Sequence, residues 1–164
     1  MMQRAHGYRF LAVFVAIFTL LQLAAVTSRD YVADWLVAWP ARFTLGALYP
    51  DDGVVVVANR IESQHVRLNI LPGCEGTELF ILLIAGVLAY PAGLRAKLRG
   101  LSLGLPLAFA LNQLRVAALY GVVRDEPNLF DLVHGYLAPT ALVVALGLYY
   151  WVWAGGATRS AAAA

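Results

Sequence analysis

Four stretches of this chain are apolar for long enough to fill, or nearly fill, the hydrocarbon core of a bilayer. A spanning helix needs about 20 mostly apolar residues. Phe10 to Val26 carries no charge and only Thr19 and Gln22 as polar interruptions. Leu79 to about Leu94 is uncharged and closes on Tyr90-Pro91, and Leu101 to Val123 is broken once, by Arg115. Leu132 to about Trp153 holds one ionisable group, His134, and ends among Tyr149, Tyr150, Trp151 and Trp153. Composition agrees: 61% of residues are hydrophobic and 13% charged, against roughly 25% charged in soluble domains. Disorder requires the opposite balance. A net charge of +2 gives no reason to expect nucleic acid as a partner. The expected fold class is an all-α polytopic membrane protein with four transmembrane helices, an amphipathic helix and a small β-hairpin.

The charges predict sidedness. With the N-terminus in the cytoplasm, the inner segments hold Arg4, Arg9, Arg95, Lys97, Arg99 and Arg159 and no acid. All ten Asp and Glu then fall outside or at outer helix ends. Lys and Arg near span ends set orientation, and the Arg95–Arg99 region, read as a hairpin loop, satisfies that rule. The protein is expected in a bacterial cytoplasmic membrane with both termini on the cytoplasmic side, as one integral domain over 1–158 and a cytoplasmic tail over 159–164. A cleaved signal peptide at Phe10–Val26 is the alternative, given its basic flank and Ala24-Ala25. That apolar stretch is longer than a usual signal-peptide core, and its loss would leave three spans.

The segment 27–76 is the one sizeable region expected off the membrane. Tyr31, Trp35, Trp39 and Phe43 recur every four residues, the pattern of a helix lying in the interface; Pro40 is expected to bend or break it. Val54–Asn59 and Val66–Ile70 read as two strands joined by an Arg60–Gln64 loop. In the second, Val66, Leu68 and Ile70 alternate with His65, Arg67 and Asn69.

That strand runs into Leu71-Pro72-Gly73-Cys74-Glu75-Gly76-Thr77-Glu78. The lone cysteine excludes an internal disulfide. It stands between Gly73 and Gly76, which permit close substrate approach, before a helix N-terminus that favours thiolate. A small buried packing residue is the plain alternative. Arg115 lies inside a span, where an arginine is costly and marks a functional site, unless it snorkels to the headgroups. Asn112 is one turn earlier on the same helix face. His134 opens the last span; Asp131 one turn before could orient its imidazole or cap the helix. His65 is expected to be solvated. Topology places Cys74, Arg115 and His134 at one depth near the outer leaflet. Thiolate, proton shuttle and oxyanion-stabilising cation together suit acyl transfer. With no second cysteine and no His pair at i, i+4, neither a metal site nor a cofactor is expected.

Cys74-Glu75-Gly76, Asn112-Gln113-Leu114-Arg115 and His134 resemble the exosortase/archaeosortase family of membrane transpeptidases, most closely the exosortase H subgroup. The likeness covers about Ile70 to Trp153, half the chain. It implies Cys74, Arg115 and His134 as the catalytic set, with Asn112 in the arginine motif and Gly73, Gly76 and Asp131 in support. It also implies secreted protein substrates that end in a sorting motif, a transmembrane helix and a basic tail. Glu75 departs from the Ser or Ala common in the wider family, and a carboxylate there would raise the thiol pKa. Two other functions use the same features. Another membrane cysteine acyltransferase would apply these groups to a different acyl donor, and a non-catalytic assembly subunit would need Arg115 only as a helix–helix anchor.

Overall fold

The computed structural model describes residues 2–26, 33–70 and 76–162. Tyr31, Gly73, Cys74 and Glu75 therefore lie outside the described residues. The helices are α1 (Met2–Val26), α2 (Trp39–Leu48), α3 (Thr77–Ala89), α4 (Leu94–Asp125) and α5 (Ala138–Ala162). A sheet of β1 (Val55–Val57), β2 (Arg60–Glu62) and β3 (Arg67–Asn69) sits between α2 and α3 in sequence. Among the described residues, three stretches are long and apolar enough to cross a membrane: Gly7–Val26, Leu94–Asp125 and Pro127–Thr158. The fold is mainly helical with a small sheet, and the length and apolar composition of these helices suit a membrane protein. Helix α3 is apolar but only 13 residues long, roughly 20 Å against a core of roughly 30 Å.

The chain divides into two compact units. The first comprises Met1–Thr27, Glu78–Ala108 and Val144–Ala164. From Phe10 onward helix α1 carries no charge and leaves Leu11, Val15, Leu20 and Leu23 exposed, as suits a lipid-facing span. The core of this unit is Leu83, Val87, Ala108 and Leu146, flanked by Tyr149, Tyr150 and Trp153. Its packing rests on Gly100 and Gly104, one turn apart on α4. A Cβ on Gly100 would meet the Trp153 indole at 2.6 Å, and one on Gly104 would meet Tyr149 at 2.7 Å and Leu83 at 2.8 Å. Small residues at this spacing let membrane helices approach closely. The polar tips of the aromatics are then bonded to helix carbonyls: Tyr149 Oη donates to Gly100 O at 2.6 Å, Trp153 Nε1 to Ala96 O at 3.0 Å and Tyr150 Oη to Gly86 O at 3.0 Å.

The break expected at Tyr90-Pro91 is where α3 stops, but α4 begins at Leu94, so the basic Arg95–Arg99 stretch is not a loop. It forms the first turns of α4. Cations at a helix N-terminus oppose the helix dipole, so their placement answers to something other than helix stability. Lys97 offsets part of this by donating to Leu88 O at 2.6 Å, which satisfies a carbonyl in the last turn of α3.

The second unit comprises Ser28–Thr77 and Phe109–Val143. Its core contains Val37, Ala41, Leu45, Ile61, Val66, Ile70, Val116 and Tyr120. Residues Ala33–Ala38 form a π-helical turn that leads into α2. Pro40 sits in the first turn of α2, where the π-turn gives way to the α-helix that runs on to Leu48, so the chain changes helix type beside it and is not broken there. Val37, Ala38, Ala41 and Leu45 are buried, whereas Trp35, Trp39 and Phe43 remain exposed and lie against one another, with ring centroids 6.2 and 5.8 Å apart. That is an amphipathic helix with an aromatic outer stripe.

The hairpin expectation needs correction. The sheet has three antiparallel strands in the order β1-β2-β3, and Arg60–Glu62, expected as loop, is its central strand. The first strand ends at Val57 because Ala58 takes a positive φ of 51° and turns the chain, pairing Val57 with Arg60. Alternation along the third strand is as expected: Val66 and Ile70 are buried, Arg67 and Asn69 exposed.

Candidate functional site

Gly76 is buried and has φ +72°. A Cβ there would meet the Asn112 carboxamide at 2.5 Å, so backbone and amide are in direct contact. The glycine is needed twice over, for its left-handed backbone and for that approach. Two sequence-predicted residues, 36 positions apart, are thereby brought together. Thr77 beside it is 8% exposed, and its hydroxyl has no partner among the described residues. Asn112 is 1% exposed. Arg115 follows one turn later on α4 and is partly buried.

Helix α4 is held here by a second contact. Gln113 Nε2 donates to Leu36 O at 3.0 Å. Leu36 is four residues before Pro40, whose ring nitrogen has no hydrogen to give that carbonyl. Gln113 takes its place and ties the π-turn to the helix that carries Asn112 and Arg115. Replacing Gln113 by leucine removes this partly buried hydrogen bond and is expected to destabilise the protein by about 0.5–1.5 kcal/mol. Reversible unfolding in detergent checks this; a loss below about 0.5 kcal/mol would contradict it.

His134 lies in a π-helical turn, Val133–Leu137, between a single α turn at Phe130–Leu132 and α5. Such turns are common at functional sites because they re-aim side chains. Its imidazole stacks on Phe130 with centroids 5.0 Å apart and planes 10° apart. It also lines a small cavity of about 30 Å³ with β3 residues Leu68 and Asn69, with Ile70, and with Val116 and Leu119 of α4. Ile70 and Gly76 bracket the Cys74 segment in sequence. The first lies with His134 and the second against Asn112. Asp131 is exposed and caps no helix; the N-caps of this stretch are Glu126, Leu129 and Leu132, without side-chain cap bonds. Among the described residues, no group of three or more His, Cys, Asp and Glu could hold a metal ion.

One cluster has no counterpart in the sequence reading. Asp52 is 2% exposed. Arg124 donates to it through Nε at 2.9 Å and Nη2 at 3.2 Å. Tyr120 Oη lies 2.8 Å from both Asp52 Oδ2 and Ser63 Oγ; with one proton, it donates to the carboxylate and accepts from the serine. The Arg124 guanidinium stands 5.0 Å over the Tyr49 ring, a cation–π distance. Tyr49 in turn fits over Gly121, where a Cβ would lie 2.7 Å from its hydroxyl. His65, exposed as expected, has Nδ1 3.6 Å from Asp52. The cluster fastens the Pro50–Asp52 turn and the β2–β3 connection to α4, two turns beyond Arg115. The sequence signal for it is weak, since the partners of Asp52 lie 68 and 72 residues away.

The Arg124 hydrogen bonds hold the Asp52 carboxyl below its ordinary value of 3.8, against the opposing effect of burial. A folded pKa below the unfolded one contributes stability above about pH 4 and loses it as pH falls through the folded value. Asp52→Asn is therefore expected to lower the unfolding midpoint by a constant amount from about pH 5 to 8 and by less under about pH 4. A gap that stays constant into the acid range would contradict this.

No family model, curated protein or solved structure matches the chain.

Proposed function

We propose that this protein is a cysteine-dependent membrane transpeptidase that cleaves C-terminal sorting signals of secreted proteins and passes them to an acceptor. The observation that carries the proposal is the contact between Gly76 and Asn112. It links the chain segment of the one cysteine to the helix face that bears Arg115, in the unit that also holds His134. The resemblance to exosortases rests on the same residues.

In this reading α3 is the fourth membrane segment. The site then faces outward, and the basic start of α4 faces the cytoplasm. The Cys74 thiolate attacks the scissile carbonyl carbon. Arg115, with Asn112 beside it, stabilises the oxyanion that forms. Collapse of the tetrahedral intermediate breaks the C–N bond, and His134 gives its proton to the leaving amine. The substrate's tail helix departs, and its upstream part remains as a thioester on Cys74. An acceptor amine or water, losing its proton to His134, attacks the thioester and restores the thiolate. The alternative of a non-catalytic subunit predicts no dependence on these groups. Co-expression with a substrate bearing motif, apolar helix and basic tail separates the two. Processing is expected in wild type and absent in Cys74→Ala, while equal processing in both would sink the nucleophile assignment.

A further inference from the structure

We propose that the groove between the first turns of α4 and the last turns of α5 binds an anionic phospholipid. In this assignment an acyl chain lies along the groove wall and the phosphate sits on Arg99 and Arg95. The groove encloses about 320 Å³ and is lined by Ala96, Arg99, Leu103, Tyr149, Val152 and Trp153, a volume in the range of about 300–1,000 Å³ typical of small-molecule sites. Its chemistry is one-sided. The phenol of Tyr149 and the indole N–H of Trp153 are committed to carbonyls of α4, so what these side chains leave to the groove is ring carbon. Gly156 also lines it, and a Cβ there would meet nothing within 4 Å. Among the described lining residues, the one that carries a charge is Arg99.

Arg95 is exposed one turn nearer the helix end. Neither arginine is paired with a carboxylate among the described residues. Arg99 is the sixth residue of α4, about 8 Å from its end, within reach of the headgroup layer for a long side chain. An apolar wall with a cationic rim fits an amphiphile with an anionic head. A small soluble anion would leave the wall uncovered, and a zwitterionic lipid would match the rim poorly. Basic pockets between membrane helices favour such headgroups. The site also accounts for cations kept at a helix N-terminus against the dipole.

The test uses the full-length protein in detergent micelles, with phosphatidylglycerol and phosphatidylcholine of identical chains as probes. Retained lipid is read by native mass spectrometry and the thermal midpoint by unfolding. Wild type is expected to retain phosphatidylglycerol at least about tenfold more tightly than phosphatidylcholine. Arg99→Gln should cost about fivefold, and Arg95→Gln with Arg99→Gln should bring the two lipids level. Gly156→Leu should weaken retention of both by filling the wall. Equal retention of both lipids by wild type would overturn the proposal, as would full phosphatidylglycerol binding by the double variant. Displacement of the lipid by soluble glycerol phosphate would also overturn it, in favour of a free-phosphate site. If the double variant melts early without lipid, Gly156→Leu decides: unchanged retention there rejects the groove.

Discussion

Alanine at position 76 is expected to lower substrate processing by about 100-fold or more, the scale of loss that a displacement of about 1 Å produces in a positioned catalytic group. The new Cβ would stand 2.5 Å from the Asn112 carboxamide, on a backbone with φ +72° that L side chains rarely adopt. Either Asn112 moves, and Arg115 one turn along is disturbed with it, or the Cys74 segment shifts. Unfolding of Gly76→Ala in detergent separates loss of the site from loss of the protein. The double variant Gly76→Ala with Asn112→Ala removes the carboxamide that causes the clash. It should recover stability toward that of Asn112→Ala while staying inactive. A fully active Gly76→Ala would contradict the placement of the site at this contact.

Arg115→Lys is expected to reduce kcat by about 100- to 1,000-fold, the usual effect of losing one oxyanion donor. Lysine keeps the charge but not the planar fork of donors. If Arg115 acts on the transition state, KM changes little while kcat and kcat/KM fall together. Full activity in Arg115→Lys would mean that charge alone suffices. An increase in KM with unchanged kcat would place the arginine in substrate binding. The unfolding midpoint should stay near wild type, because the charge and most of the stem remain.

What could be read from the sequence was whatever has a local period or a hard local signal. Charge-free runs placed the apolar helices, Tyr90-Pro91 ended α3, and alternation placed β3. The central strand was not legible, because Arg60–Glu62 offers one apolar residue, Ile61, between two charged ones, too little to show a period of two. The turn before it lacks Gly and relies on Ala58 at positive φ. The packing role of Gly100 and Gly104 was not legible, because the aromatics that cover them lie about 50 residues away. Asp52 was indistinguishable from the other acids of its segment, since its burial depends on Tyr120 and Arg124, far along the chain. At the candidate site, motif spacing pointed to Gly76 and Asn112, and the structure supplied the contact between them. Gln113 was legible as part of the same motif, though its partnership with the carbonyl orphaned by Pro40 was not.

The most direct test of the central claim is to trap the acyl-enzyme. Purified protein is mixed with a tailed substrate, quenched in acid within one turnover, and weighed intact. A covalent adduct equal in mass to the upstream substrate fragment is expected on Cys74. Hydroxylamine should release it as a hydroxamate, and it should be absent from Cys74→Ala. Continued processing by Cys74→Ala would contradict the account, as would an adduct on any other residue.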